Sequence, residues 1–290
     1  MRNIAAGLTL AVLLAGCGHS SPPQSASSTV TSTLTATPTN TDVNNNGTPD
    51  NDDTAADFPG KMVPVYQPAT SAEAIRGKAF MEENSMAEQF ADAINDTLKL
   101  PHDIRVVGQQ CDEDNLWFDI GDQSVALCYE RAANLREWAD SVEGADPTTV
   151  AFDTMLLGYY HEVGHMAINV YDLPAVGREE DDADQVSTYL MLWPNDDGTI
   201  DRDALDAVGY RAQYYRGSSD DIDDSDLSDE HSLDKVRMYN LECWTYGADP
   251  AYGAGLVAKG LLPQDRADGC EDEWAKLRSA WDRLLEPYLK

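Results

Sequence analysis

The sequence predicts an α+β domain in which a small antiparallel sheet precedes a mainly helical remainder. Three short runs rich in β-forming residues lie between residues 104 and 130, and most later segments have helical spacing. Strands and helices do not alternate along the chain, as they would in a doubly wound sheet. With 290 residues, 42% of them hydrophobic, the chain can bury a sizeable core.

The first 17 residues have the pattern of a bacterial export signal. Arg2 precedes the apolar run Ile4–Leu14, which is too short to span a bilayer as a helix. The sequence LAGC then resembles the lipobox, whose cysteine is lipidated and becomes the new N-terminus. We therefore expect residues 1–17 to be a lipoprotein signal peptide. Lipid on Cys17 would anchor the protein to a membrane of the cell envelope, outside the cytoplasm. An ordinary secretory signal is the alternative.

Residues 18–60 are predicted to form a disordered acidic linker that is also rich in Ser, Thr and Pro. They contain few large apolar residues, so folding could not bury enough surface to offset the loss of chain entropy. Within the linker, DVNNNGTPDNDD at Asp42–Asp53 resembles one unit of the calcium-binding thrombospondin type 3 repeat, with oxygen side chains around Gly47. The segment is therefore either a Ca²⁺ site or a plain linker.

The folded domain is predicted to cover residues 61–290. Apolar residues at helical spacing predict a helix between Met86 and Leu98. The runs IRVVGQQC, NLWFDIG and SVALCYE follow, separated by short polar segments, and predict three strands of an antiparallel sheet. From residue 128 onward the pattern is mainly helical.

Four cysteines remain after Cys17, namely Cys111, Cys128, Cys243 and Cys270. An even number of cysteines in an exported protein is typical of disulfides. Of the three pairings that four cysteines allow, we favour the two between sequence neighbours, 111–128 and 243–270. A cysteine zinc site is the competing interpretation, but the chain has no C-x-x-C spacing.

The charge balance makes nucleic acid an unsuitable partner. The chain has 52 acidic and 20 basic residues, for a formal net charge of -32. Phosphate binding requires clusters of Lys and Arg. An acidic surface instead favours solubility and cation binding.

Two of the five histidines lie in the sequence HEVGH, on a predicted helix. Asp146 is expected to cap this helix, and Pro174 lies just beyond its end. His161 and His165 are one turn apart and share a face, and Glu162 borders that face. Two imidazoles in this arrangement can bind zinc while the carboxylate reaches the attacking water. We therefore expect one Zn²⁺ ligated by His161 and His165, with Glu162 as the general base. Buried core histidines are the alternative interpretation.

The third zinc ligand is expected from a second helix, REEDDADQVSTYLML, that follows the turn DLPAVG. Catalytic zinc normally has three protein ligands and one open position. Glu180 is the preferred ligand and Glu179 the alternative. Asp184, one turn after Glu180, is expected to orient a ligand imidazole. Acidic residues in a first helical turn can also simply complement the helix dipole.

His231 is the only histidine after the zinc motif. A hydrolytic zinc site needs a donor for the oxyanion that develops opposite the base. We expect His231 to be that donor and take Tyr239 as the second candidate. A surface or helix-capping role for His231 is the alternative.

H-E-x-x-H followed by E-x-x-A-D is similar to the gluzincin metallopeptidases. More closely, residues from about 101 to 270 resemble a bacterial family of metallopeptidase-like proteins of unknown function. The matching pieces are CYE at 128–130, HEVGHMAINVYDLPAVGREEDDADQ, DEHSLDKVRMYNLECWTYGADP and GLLPQDRADGC. The resemblance implies zinc and a zincin fold but no particular substrate.

Two functions are compatible with these features. The first is a lipid-anchored zinc metalloendopeptidase of the cell envelope that hydrolyses peptides aligned along a sheet edge. The second is a zinc-containing envelope binding lipoprotein with little or no turnover. The intact Glu162 favours the enzyme, because a binding protein has no need of a general base.

Overall fold

The computed structural model describes residues 58–218 and 221–290. The predicted signal peptide, Cys17 and the calcium-like segment lie outside the described residues. The described sheet has four strands in the order β1-β2-β4-β3. The strands are β1 (Met62–Tyr66), β2 (Ile104–Gln109), β3 (Leu116–Asp119) and β4 (Ser124–Cys128).

The predicted α+β class is confirmed, but the sheet is mixed and not wholly antiparallel. β1 pairs with β2 and β2 with β4 in parallel, whereas β3 and β4 pair antiparallel. All five residues of β4 are buried, as in a central strand covered on both faces, whereas three of the four in β3 are only partly buried. β4 therefore lies between β2 and β3, although β3 precedes it in sequence.

The parallel pairing of β1 and β2 depends on two helices that connect them. These are α1 (Ala72–Glu83) and α2 (Met86–Thr97), which together return the chain to the starting edge. β1 was not predicted from the sequence, because Pro64 interrupts its β-forming pattern. Proline is tolerated there because β1 is an edge strand.

The remainder of the domain is helical. Its elements are α3 (Tyr129–Ala139), α4 (Pro147–Val170), α5 (Glu179–Met191), α6 (Arg202–Arg216), α7 (Asp224–Ser228), α8 (Asp234–Ala248), α9 (Pro250–Ala258), α10 (Gln264–Ala267), α11 (Cys270–Leu285) and a 3₁₀ turn (Glu286–Tyr288). The central helix α4 packs against α3, α5, α6 and β3. As predicted, Asp146 caps α4, since its side chain accepts a hydrogen bond from the backbone N–H of Thr149.

Helices α4 and α5 approach each other closely at Gly164, within the sequence HEVGH. A Cβ atom at this position would lie 2.8 Å from the Cα of Ala183 on α5. Any side chain at residue 164 would therefore push the two helices apart. Since Ala183 is flanked along α5 by Glu180 and Asp184, this contact brings the acidic residues of α5 to the histidines of α4.

Both disulfides join the predicted pairs. Cys111–Cys128 links the ends of β2 and β4, with 5.5 Å between the Cα atoms. This pairing fits the parallel strands, because parallel neighbours end at the same edge of the sheet. Cys243–Cys270 connects α8 to α11, with a Cα–Cα distance of 5.1 Å. Two disulfides favour a compartment outside the cytoplasm.

The described helices include none that is both long and apolar enough to cross a membrane.

Candidate metal centre

A cleft of about 680 Å³ is lined by most of the residues singled out from the sequence, namely His161, Glu162, His165, Glu179, Glu180 and His231. One wall is formed by residues 115–118 and Ile120, in and beside β3, and the opposite wall by residues of α4 and α5. Further side chains come from α6 and from the segment that enters α8. The volume lies within the range of roughly 300–1,000 Å³ that is usual for ligand-binding sites.

Three atoms in this cleft form a nearly equilateral triangle. The Nε2 atoms of His161 and His165 are 3.2 Å apart. Glu180 Oε2 lies 3.0 Å from the Nε2 of His161 and 3.4 Å from that of His165. Tetrahedral zinc, with bonds of about 2.0–2.1 Å, requires ligand atoms about 3.3–3.4 Å apart. The donor types and the spacing of these three atoms therefore fit a zinc ion.

The three candidate acids of α5 contact different nitrogen atoms of the two rings. Asp184 Oδ1 lies 2.8 Å from Nδ1 of His161, and Glu179 Oε1 lies 2.9 Å from Nδ1 of His165. Only Glu180, of these three, approaches the Nε2 atoms. An Nδ1–H that donates to a carboxylate leaves the Nε2 lone pair to face a metal. Glu180 thus lies beside both Nε2 atoms, whereas Asp184 and Glu179 each lie beside the Nδ1 atom of one ring.

Asp184 is itself held by Arg237 of α8. The Nε and Nη2 groups of Arg237 donate to the two carboxylate oxygens of Asp184, each at 2.7 Å, and both residues are buried. Burial alone would raise the pKa of Asp184. The charge of Arg237 and the hydrogen bonds from His161 and Arg237 instead hold this pKa well below its usual range. Arg237 could not be predicted from the sequence, because a single arginine on an ordinary helix belongs to no motif.

The acidic surroundings favour positive charge at both histidines. Burial lowers the pKa of His165, but its hydrogen bonds to Glu180 and Glu179 outweigh this effect and raise the pKa to about 9. Burial likewise opposes a charge on His161, yet the hydrogen bonds to Asp184 and Glu180 raise its pKa overall. The same carboxylates would stabilise a divalent cation between the rings.

His231 lies just before α8 and also contacts Glu180. Its Nε2 is 2.9 Å from Glu180 Oε2, and its Nδ1 is 2.9 Å from Asp229 Oδ1. The ligand atoms of His161, Glu180 and His231 all lie within 4.8 Å of one another, so this group could also hold a metal ion. Tyr239, the second candidate for the oxyanion donor, is 36% exposed and does not line the cleft.

Arg178 positions the backbone beside His231. Its Nη1 donates to the carbonyl oxygens of residues 229, 230 and 231, at 3.0, 3.3 and 2.9 Å. This contact ties the segment before α8 to the start of α5. His231 and Glu180 are therefore brought together by the same pair of elements.

Glu162 faces the cleft from α4 and is 7% exposed. Its Oε2 accepts a hydrogen bond from the backbone N–H of Phe118 on β3, at 3.0 Å. Glu162 is thus fixed between the metal-ligand candidates of α4 and the outer strand of the sheet. This is a suitable place for a base that acts on a molecule bound along that strand.

Comparisons with known proteins identify the family of this chain. Neither the curated proteins nor the solved structures include a significant match to the chain. A family model does match, over residues 66–285, and this range runs from the end of β1 to the end of α11. It contains every candidate ligand described above. The chain therefore belongs to the family DUF4344, described as "Putative metallopeptidase".

Proposed function

We propose that this protein is a zinc-dependent peptidase that hydrolyses peptide bonds outside the cytoplasm. The observation that carries the proposal is the triangle formed by the Nε2 atoms of His161 and His165 and Oε2 of Glu180, with edges of 3.2, 3.0 and 3.4 Å. Family membership supports metallopeptidase activity. We assign the zinc to these three residues.

Zinc at this site would supply a Lewis acid that polarises the scissile carbonyl and lowers the pKa of water to about 7. The protein contributes the orientation of the ligands. Asp184 and Glu179 hold the two rings through Nδ1, at 2.8 and 2.9 Å. Arg237 in turn holds Asp184 through two hydrogen bonds.

Glu162 acts as the general base. Because its Oε2 is held by the Phe118 N–H, Oε1 is the atom that takes a proton from the attacking water. The same carboxyl group then passes the proton to the leaving amine. Burial of Glu162 restricts competing contacts with bulk solvent.

His231 is proposed to donate a hydrogen bond to the oxyanion that forms at the attacked carbonyl. Asp229 accepts from Nδ1, so the ring is held with Nε2 towards the cleft. At 42% exposure, the His231 side chain is accessible to a bound peptide. A charged donor aimed at the oxyanion stabilises the transition state more than the substrate.

The outer edge of β3 is proposed to align the substrate. β3 is an outer strand of the described sheet, and residues 116–118 line the cleft. An extended peptide can therefore add to this edge through backbone hydrogen bonds. This pairing would lay the scissile bond beside Glu162, which already contacts the same strand.

The cell envelope is the proposed location. The two disulfides favour an oxidising compartment, and the lipobox-like sequence ending at Cys17 predicts a lipid anchor. Peptide or protein substrates would then be encountered at a membrane surface outside the cytoplasm.

The test compares wild type with Glu162→Gln in the zinc-loaded full-length chain. Glu162→Gln should retain stoichiometric zinc but lose about 10²–10⁴-fold in kcat/KM on a set of internally quenched peptides of mixed sequence. Glu83→Gln, at an exposed position of α1, is the matched control and should hydrolyse normally.

Equal hydrolysis by Glu162→Gln and wild type would refute the proposed mechanism. Stoichiometric zinc without any hydrolysis by the wild type would instead favour the zinc-containing binding lipoprotein.

A further inference from the structure

Arg211 of α6 is a buried cation in the wall of the cleft. It is only 9% exposed. Its Nη2 donates to the hydroxyl of Tyr215 at 2.9 Å, whereas its buried Nη1 has no hydrogen-bond acceptor among the described residues. No carboxylate within residues 58–218 and 221–290 forms an ion pair with Arg211. Arg211 is therefore a charged group whose hydrogen-bonding capacity is only partly used.

The other arginines of the same cleft are engaged. Arg131 forms an ion pair with Asp114 at 2.7 Å, Arg237 forms two hydrogen bonds with Asp184, and Arg178 donates to backbone carbonyls. This contrast is notable in a chain with 52 acidic residues and 20 basic ones. The ring of Tyr215 lies 4.7 Å from the guanidinium carbon of Arg211 and gives it a cation–π contact, but it supplies no acceptor for Nη1. Leaving a buried donor unpaired is costly, so Arg211 is suited to a ligand that supplies the missing acceptor.

The position of Arg211 relates it to the proposed chemistry. A Cβ atom at Gly158 would lie 3.6 Å from Nη1 of Arg211 and 2.7 Å from Cδ1 of Leu116. Gly158 precedes Glu162 by one helical turn, so the two residues share a face of α4. The absence of a side chain at residue 158 leaves room for Leu116 Cδ1 and for the Nη1 group of Arg211 beside α4, one helical turn from Glu162. All four residues line the same cleft.

We propose that Arg211 binds a carboxylate of the peptide substrate close to the scissile bond and so determines specificity. This inference rests on the proposed peptidase function. A guanidinium matches a carboxylate in charge and in the geometry of its parallel N–H groups. The carboxylate is either the side chain of an Asp or Glu residue or the C-terminal carboxylate of the peptide.

The test measures binding in the zinc-loaded full-length Glu162→Gln variant, where turnover does not interfere. Three alanine-based pentapeptides serve as probes. Two are blocked at both ends and carry Glu or Gln at the centre, and the third has an alanine centre and a free C-terminal carboxylate. We expect the Glu peptide, the free-carboxylate peptide or both to bind about 10- to 100-fold more tightly than the Gln peptide in isothermal titration calorimetry.

Adding Arg211→Gln should abolish this preference, whereas Arg211→Lys, which keeps the charge but not the fork of donors, should retain part of it. Arg76→Gln, at an exposed position of α1, is the control and should leave the preference unchanged. If Arg211→Gln does not fold, the test compares the carboxylate preference of the protein with Arg211 intact and that of Arg211→Lys.

Two results would overturn the proposal. One is equal affinity for all three peptides, and the other is a carboxylate preference that persists in both Arg211 variants, which would assign it to another group in the cleft. Failure of the peptidase proposal is detected separately, as absence of turnover by the zinc-loaded chain with Glu162 intact. The difference between the Glu and free-carboxylate peptides identifies the source of the carboxylate.

Discussion

Replacing the three acids of α5 one at a time should separate the proposed zinc ligand from the groups that orient the histidines. Glu180 Oε2 lies 3.0 and 3.4 Å from the two Nε2 atoms. Of the histidine nitrogen atoms, Glu179 and Asp184 contact only Nδ1. The variants Glu180→Gln, Glu179→Gln and Asp184→Asn preserve side-chain size, so they change charge and donor type with little change in volume.

The expected order of zinc affinities follows from these contacts. Loss of a group that orients a ligand typically weakens metal binding about 10- to 100-fold, or about 1.4–2.7 kcal/mol. Glu180→Gln should exceed this range, because it removes one of three direct ligands. Asp184→Asn should lie within it. Glu179→Gln should lie at its lower end, because the Glu179 side chain is 52% exposed.

Zinc affinity is measured by competition with a chelating indicator on the full-length chain. Circular dichroism is needed beside it, because Asp184→Asn also leaves Arg237 buried without its carboxylate. Breaking such a buried pair costs about 3–5 kcal/mol of folding free energy. Wild-type affinity in Glu180→Gln would refute the assigned ligand set. A larger loss in Glu179→Gln than in Glu180→Gln would transfer the ligand to Glu179.

Two further predictions concern stability. Burial, and then the charge of nearby carboxylates, raises the pKa of Asp153 from 3.8 to about 7. The folded state therefore holds this proton more tightly than the unfolded state, and the resulting stability is lost as the pH rises through 7. Asp153→Asn should be more stable than wild type by about 2 kcal/mol at pH 8, after allowance for partial exposure, and the gain should shrink towards pH 4 in urea titrations. A gain independent of pH would contradict the assigned cause. Removing the Cys243–Cys270 disulfide with paired alanines should cost about 3 kcal/mol in the same assay, since the bridge closes a separation of 27 residues. An unchanged unfolding midpoint would show that α8 and α11 hold together without it.

The order of the strands illustrates what could not be predicted from the sequence. Short polar segments between the runs favoured an antiparallel arrangement, and that is correct for β3 and β4 alone. The parallel pairing of β2 with β4 places β3 at the edge. Pairing is decided by burial against distant helices, which local propensity does not report. The edge position matters, since it is what exposes β3 to the cleft.

Some residues around the candidate metal site could be predicted from the sequence, and others could not. The sequence by itself determined that His161, Glu162 and His165 share one side of a capped helix, because helical periodicity and capping act over a few residues. Which carboxylate meets the Nε2 atoms depends on how α5 packs at Gly164, since adjacent residues on a helix point about 100° apart.

The roles of Arg237 and Arg211 depend on the tertiary structure alone. Neither belongs to a motif, and each acquires its role only when α6 packs against α4 and α8 packs against α5 and α6. A buried charged side chain requires a partner, so its burial indicates a role in the site. Burial depends on the folded chain and cannot be read from one residue in the sequence. Short-range geometry therefore determined the two candidate histidine ligands and the candidate base, whereas long-range packing decided which carboxylate joins them, which groups orient the rings and where Arg211 lies in the cleft.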